Sequence, residues 1–143
     1  MKRKFYAEKY LCDDINDYKI YCFNGEPKFI RVQKNLPDNS GKINNYYNLN
    51  WTLNDIETNL PNYYRKPDIK FEKPKNLGLM LEYAKKLSSE FVFVRVDLYE
   101  FNDTVYLGEL TFTPFNGRMN YKNLNQSIYL GNLLDISKKN LNK

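Results

Sequence analysis

Arg95, Asp97 and Glu109 are the side chains with the clearest chemical potential, because they interrupt an otherwise apolar stretch from Phe91 to Pro114, FVFVRVDLYEFNDTVYLGELTFTP. Ionised groups are costly to desolvate unless they are paired or bound to a cation. The stretch is rich in Val, Phe, Tyr, Leu and Thr around a polar break at Asn102 and Asp103, which predicts a β-hairpin. Alternation along its first strand puts Phe91, Phe93, Arg95, Asp97 and Tyr99 on one face and Val92, Val94, Val96 and Leu98 on the other. On the second strand Val105, Leu107, Glu109, Thr111 and Thr113 go together. A two-residue turn at Asn102 and Asp103 places Asp97 and Glu109 on opposite faces, whereas a three-residue loop through Thr104 sets them directly across from each other. Opposed Cβ atoms lie about 4.5–5.5 Å apart, where like charges destabilise a sheet unless something positive lies between them. A divalent cation fits that place, since Mg²⁺ takes oxygen ligands and is commonly held by carboxylates and nucleotide phosphates together. The alternative is that Arg95 itself pairs with Asp97 or Glu109 on a solvated face.

The elements that must position these groups follow from turn and helix signals. Tyr18–Phe23 and Lys28–Gln33 read as a second hairpin around Asn24-Gly25, a dipeptide that tolerates positive φ. Lys19, Tyr21 and Phe23 share one face of its first arm and Tyr18, Ile20 and Cys22 the other, and both faces read as largely covered. Phe5–Leu11 reads as a short strand, followed by an acidic loop at Asp13, Asp14 and Asp17. From Lys34 to Lys75 loops dominate, with a short strand over Tyr46–Trp51 and a linker punctuated by Pro61, Pro67 and Pro74. Leu77, Met80, Leu81, Ala84 and Leu87 form the stripe of a helix over Asn76–Ser89, with Pro74 placed just before it. Pro114, Asn116 and Gly117 mark a turn, and Asn125–Leu134 a second short helix. Antiparallel strands with segregated helices make the class α+β: a mainly antiparallel sheet, one main packed helix and a short C-terminal helix.

The 143 residues amount to one domain, residues 1–143, large enough to bury about 68–70% of its unfolded surface. Hydrophobic residues make up 42% and charged residues 27%, and 13 Tyr with 9 Phe require many rings in the core. Histidine is absent, which excludes Ser-His and Cys-His nucleophiles and imidazole zinc sites, leaving carboxylates, Lys and Arg to carry any chemistry. Cys12 and Cys22 have no metal-type spacing, so a reduced, cytoplasmic protein is the simpler reading. A net charge of +5 favours anionic partners such as nucleotides, nucleic acid or an acidic membrane surface. No apolar run approaches a membrane span and the N-terminus is not a signal peptide, so the expected location is cytoplasmic, with a peripheral membrane association left open.

In order along the chain, DYKIYCFNGEPKFIRV, PKNLGLMLEYAKKLS, FVFVRVDLYE and VYLGELTFTPFNG together resemble the C-terminal half of the TupA-like ATP-grasp family. That family is associated with teichuronopeptide and other cell-surface polysaccharide biosynthesis, and its members are often labelled glycosyltransferases. The resemblance implies an Mg-ATP site. Asp97 and Glu109 match the family's magnesium ligands, and Thr111 stands where an Asn is common. Arg95 matches the Arg aimed at the transferring phosphoryl group. Glu8, Lys9, Tyr10 and Leu11 match the hinge strand that reads the adenine edge, and Asp17 the acidic residue that bonds the ribose. For Glu8 and Lys9 the alternative is an edge strand carrying surface charges.

In the family a lobe with two lysines and a Gly-rich flap precedes the hinge, and Met1–Lys4 leave no room for it. The resemblance therefore implies a partial ATP-grasp, split or truncated. It would bind ATP and Mg²⁺ for a carboxylate-amine ligation on a cell-envelope glycopolymer precursor, with the N-terminal lobe missing or supplied separately, as a lobe or a partner chain. A second reading is a non-catalytic remnant or regulatory module. A third, ranked last, is single-strand nucleic-acid binding through a basic surface with Tyr46, Tyr47, Trp51, Tyr63 and Tyr64.

Overall fold

A computed structural model describes residues 10–12, 15–36, 40–60 and 63–137. The two turn dipeptides read in the sequence start the fold. Asn24 and Gly25, both at positive φ (52° and 81°), join β1 (Asp17–Phe23) to β2 (Glu26–Asn35). A Cβ on Gly25 would come to 3.3 Å from the Ser89 Cα, so this turn also needs glycine's small size. Asn102 and Asp103, at φ 50° and 58°, join β6 (Phe93–Phe101) to β7 (Thr104–Thr111), the backbone of a tight hairpin turn.

β1 takes β2 on one side and β6 on the other, both antiparallel, so the two hairpins merge through the first strand of each. β3 (Lys42–Tyr47) pairs antiparallel with β2, and the short β4 (Leu53–Asn54) with β3. The order is β4-β3-β2-β1-β6-β7, and β5 (Tyr63–Arg65) adds to β3 in parallel. The strand expected over Tyr46–Trp51 lies earlier, at Lys42–Tyr47. Asn48–Trp51 form a turn in which Trp51 takes φ 69°, and the Trp51 ring stacks back on Tyr47 at 4.5 Å. Ring burial, not strand pairing, placed that tryptophan. Of the segment expected as a strand over Phe5–Leu11, residues 5–9 lie outside the described residues, and Tyr10 and Leu11 are not in a strand.

One face of the sheet is covered by α1 (Leu77–Ser88), which packs on β1, β2 and β6. Leu77, Met80 and Ala84 of its stripe are buried against Ile20, Ile30, Val32, Val94, Val96 and Leu98, while Leu81 and Leu87 are half-buried at the margin. Each fully buried aliphatic side chain contributes about 1.5–3 kcal/mol. Glu100 tethers the start of α1, accepting hydrogen bonds from the Lys75 and Asn76 backbone N–H groups at 3.1 and 2.8 Å. Shaving one methyl from this layer tests its packing. Ile30→Val is expected to cost about 0.5–1.5 kcal/mol, read as a lower urea midpoint at unchanged slope.

The opposite face is divided. At one end Tyr21, Phe23, Phe29 and Tyr46 pack under Ile56 and under Leu130 of α2 (Leu124–Asn132). Asn123 caps α2, accepting from the Asn125 N–H at 2.8 Å. At the other end the same face carries charged and polar side chains. No helix among the described residues is long and apolar enough to cross a membrane. The architecture is α+β, a mainly antiparallel sheet with two helices and a short 3-10 turn at Pro114–Gly117.

Candidate functional site

The β6–β7 hairpin combines both arrangements weighed from the sequence. Its turn has two residues, with Phe101 opposite Thr104 and Leu98 opposite Leu107. That register alone separates Asp97 and Glu109 onto opposite faces. A β-bulge at Gly108 inserts one unpaired residue, after which Asp97 lies opposite Glu109 and Arg95 opposite Thr111. Of the two alternatives the turn is thus the two-residue one, and the bulge gives the carboxylates the apposition that a three-residue loop would have given.

Neighbouring strands place more polar groups on that face. Lys19 on β1 lies opposite both Asp97 and Arg31, and Asp17 lies opposite Gln33. The side chains join into one network across β2, β1, β6 and β7. Arg31 Nη2 donates to Gln33 Oε1 at 3.0 Å, and Gln33 Nε2 to Asp17 Oδ2 at 2.9 Å. Lys19 Nζ bridges Asp17 Oδ2 at 2.7 Å and Asp97 Oδ2. Arg95 binds Asp97 through Nε and Nη2, each at 2.6 Å. Its Nη2 also reaches Glu109 Oε1 at 3.0 Å and Thr111 Oγ1 at 2.9 Å. Thr111 donates in turn to Glu109 Oε1 at 2.6 Å. Because Nη2 carries two hydrogens and faces three oxygens, Arg95 can give up one carboxylate contact and keep the rest.

Burial sets the character of these groups. Asp97 is 1% exposed and Arg95 6%, so the pair is not on a solvated face, as one reading of the sequence had it. Burial alone pulls the Arg95 pKa down, but the hydrogen bonds and charge of Asp97 outweigh it and hold the pKa above its ordinary value. Glu109 is the open member, with its side chain 62% exposed. Asp17 keeps Oδ1 buried without a hydrogen-bond partner.

The network floors a cavity of about 490 Å³. A more apolar recess of about 600 Å³, lined by Tyr10, Leu11, Cys12, Ile15, Tyr106 and Leu107, shares Tyr99 and Gly108 with it. The residues singled out in the sequence thus fall in one region: Arg95, Asp97, Glu109, Thr111 and Asp17 in the charged cavity, Tyr10 and Leu11 in the apolar one. Glu8 and Lys9 lie outside the described residues. Lys19, Arg31 and Gln33 were not singled out. Their signal was the polar identity of alternate positions, 17 and 19 on β1 and 31 and 33 on β2, interleaved with the apolar Tyr18, Ile20, Ile30 and Val32. Cys22 is no nucleophile here, because burial pushes its thiol up to about 11.

The donor set can be weighed against Mg²⁺. Asp97, Glu109 and Thr111 offer only oxygen, as a hard cation prefers, and no cluster of three or more Asp, Glu, His or Cys occurs among the described residues. Two carboxylates suit an ion that takes its remaining ligands from water and phosphate. The aromatic residues considered for stacking nucleic-acid bases are mostly internal: Tyr46 and Tyr47 are buried, and Trp51 is half-buried against Tyr47.

The family model for TupA-like ATPgrasp matches residues 1–135. Searches of curated proteins and of solved structures gave no match. With nearly the whole length matched, the chain belongs to the TupA-like ATP-grasp family.

Proposed function

We propose that this chain binds a magnesium nucleotide across the joined cavities and serves an ATP-dependent carboxylate-amine ligation in cell-surface polysaccharide biosynthesis, on the cytoplasmic side of the membrane. The observation that carries the reading is the apposition of Asp97 and Glu109 across the bulged ladder, beside an apolar recess large enough for a base. Tyr10 and Leu11 line the recess and take the base, together with Glu8 and Lys9 of the same segment. Asp17 accepts the ribose hydroxyls through its unpartnered Oδ1. Asp97 and Glu109 hold Mg²⁺, with Thr111 contributing its hydroxyl. Bound there, the ion supplies charge neutralisation to the phosphate oxygens.

Arg95 binds the transferring phosphoryl group by exchanging carboxylate contacts for phosphoryl ones, and Lys19 then holds the charge of Asp97. Electrostatic stabilisation of this kind is the main contribution a protein makes to phosphoryl transfer. A carboxylate oxygen of the acceptor attacks the γ-phosphorus and ADP leaves. An amine next attacks the acyl carbon, phosphate leaves with the bonding electrons, and the amine loses a proton. The site needs a cover, since Glu109 faces solvent, and an N-terminal ATP-grasp lobe or a partner chain fills that role. The closed pairing of Asp97 with Lys19 and Arg95 also favours a second reading, a non-catalytic module that keeps the fold and binds nucleotide without turnover.

Glu109→Gln tests the metal site with little risk to folding, because the side chain is largely exposed. Calorimetry is expected to show Mg²⁺-dependent ATP binding by the wild type, weakened about tenfold or more in the variant, as losing one charged contact predicts. Equal heats from both proteins remove Glu109 from the site.

A further inference from the structure

Of the buried cations around the charged cavity, Arg31 is the one without a counter-ion. Lys19 holds Asp17 and Asp97, and Arg95 holds Asp97 and Glu109. Arg31 is 1% exposed and makes no ion pair among the described residues. Its Nη2 reaches Gln33, while Nε and Nη1 are buried without a hydrogen-bond partner. A guanidinium stays protonated in a folded protein, so neutralisation is not open to it. Buried groups of this kind ordinarily find partners, and an exception asks for a ligand.

Two further orphans lie beside it. The Tyr21 and Tyr46 hydroxyls are buried and unpartnered. Tyr46 is directly across from Arg31 on β3, and Tyr21 is across from Arg95 on β6, on the same face. Burial pushes the Tyr21 hydroxyl up to about 12, with the Arg31 charge pulling the other way, so the groups share one environment. The Tyr46 hydroxyl lies close to the Arg31 guanidinium, at the margin of hydrogen-bond geometry. Two N–H edges and two O–H groups, all able to donate, make a site for an anion.

The guanidinium is also covered. The Tyr63 and Phe115 rings lie over it, 5.3 and 5.2 Å from Cζ to ring centre, and both line the cavity that holds Arg95 and Asp97. Cation–π attraction offsets part of the unpaired charge. Phe115 achieves its position with a left-handed backbone, φ 52° and ψ 36°, a strained conformation for a bulky residue.

We propose that Arg31, with the Tyr21 and Tyr46 hydroxyls, anchors a carboxylate of the second substrate, and that Tyr63 and Phe115 cover the guanidinium until that substrate displaces them. Naming the ligand a second substrate rests on the nucleotide reading above, and the position of Arg31 separates the two. β2 stands two strands from β6 and three from β7. At about 4.8 Å per strand, that is roughly 10 and 14 Å from the Asp97 and Glu109 backbones. The apolar recess adjoins β6 and β7, so a nucleotide lying there leaves the β2–β3 side free.

Arg31→Met in the full chain tests this, with glutarate, inorganic phosphate and Mg-ATP titrated separately. Glutarate is expected to shift the Arg31 Nε–H resonance and raise the melting temperature of the wild type. In Arg31→Met its affinity falls about tenfold or more while Mg-ATP affinity is kept. Without ligand the variant melts no lower than wild type, since Met fills the space without an unpaired charge. Glutarate that leaves the Arg31 resonance unmoved overturns the proposal. So does inorganic phosphate binding in its place, or Mg-ATP weakening in the variant with glutarate unchanged, either of which assigns Arg31 to phosphate. Should Arg31→Met fold poorly, Tyr46→Phe decides: weakened glutarate with intact Mg-ATP binding supports the anchor, and wild-type glutarate affinity overturns it. Glutarate binding lost in Arg31→Met, with Mg-ATP bound by neither protein, keeps the anchor and removes the nucleotide reading.

Discussion

Asp97→Asn is expected to cost about 3 kcal/mol of folding stability, the low end of the range for breaking a buried ion pair from one side. Asp97 is 1% exposed and its two oxygens answer both Lys19 and Arg95, which are themselves buried. Asparagine keeps the shape and removes the charge, so two cations are left facing a neutral amide. The loss stays at the low end because Lys19 keeps Asp17 at 2.7 Å and Arg95 keeps Glu109 at 3.0 Å. Urea unfolding is expected to show a lower midpoint at unchanged slope. The double variant Asp97→Asn with Lys19→Met is expected to recover part of the loss, since it removes one of the stranded cations along with the charge it faced. A single variant within about 0.5 kcal/mol of wild type, the range of ordinary surface changes, contradicts a buried network.

This stability argument bears on function as well. The carboxylate proposed to hold a cation is also the main counter-ion of two buried side chains, so a nucleotide complex must rearrange charges already matched. Arg95 has the means, with one nitrogen spread over three oxygens. Lys19 can remain on Asp97 while Arg95 turns to a phosphoryl group. A rigid one-to-one pair would resist such an exchange, whereas a shared one lowers its cost.

Much of the fold was legible because its signals are local. Asn24-Gly25 and Asn102-Asp103 set two tight turns through backbone preference alone, and the Leu77–Leu87 stripe required a helix facing a sheet. The Asp97–Glu109 apposition was legible only as a conditional, since parity depended on loop length and nothing in the sequence announced a bulge. Gly108 was a weak hint, as a lone glycine inside a strand often marks one. Lys19, Arg31 and Gln33 were hidden for a different reason. A charged residue in a strand reads as solvent-facing until the sheet order is known, and β1 lies between β2 and β6, more than seventy residues apart in sequence between Lys19 and Asp97. Trp51 shows the converse, a strand-forming residue drawn into a turn by the chance to stack on Tyr47.

Gly108→Ala is expected to cost about 1–3 kcal/mol, in the range of overpacking a filled site, and to weaken Mg²⁺-dependent nucleotide binding along with it. A Cβ built there sits 2.6 Å from Tyr99 Cε2 and 3.3 Å from the Asp97 carbonyl oxygen. The carbonyl belongs to the ladder and cannot retreat without moving Asp97, so the Tyr99 ring must give way. Tyr99 lines both the charged cavity and the apolar recess, and its displacement disturbs the two together. The cost therefore differs from that of an ordinary surface Gly→Ala change, which relieves chain entropy and tends to stabilise. A double-mutant cycle isolates the clash: Gly108→Ala in a Tyr99→Ala background is expected to cost clearly less than in wild type, a coupling between touching residues. Urea unfolding of the four proteins reads the stability arm, and calorimetry of Mg-ATP the binding arm. If alanine at 108 is neutral in both, the bulge does not depend on glycine. If stability falls while binding holds, the bulge belongs to the fold alone, and the facing carboxylates lose their proposed link to nucleotide.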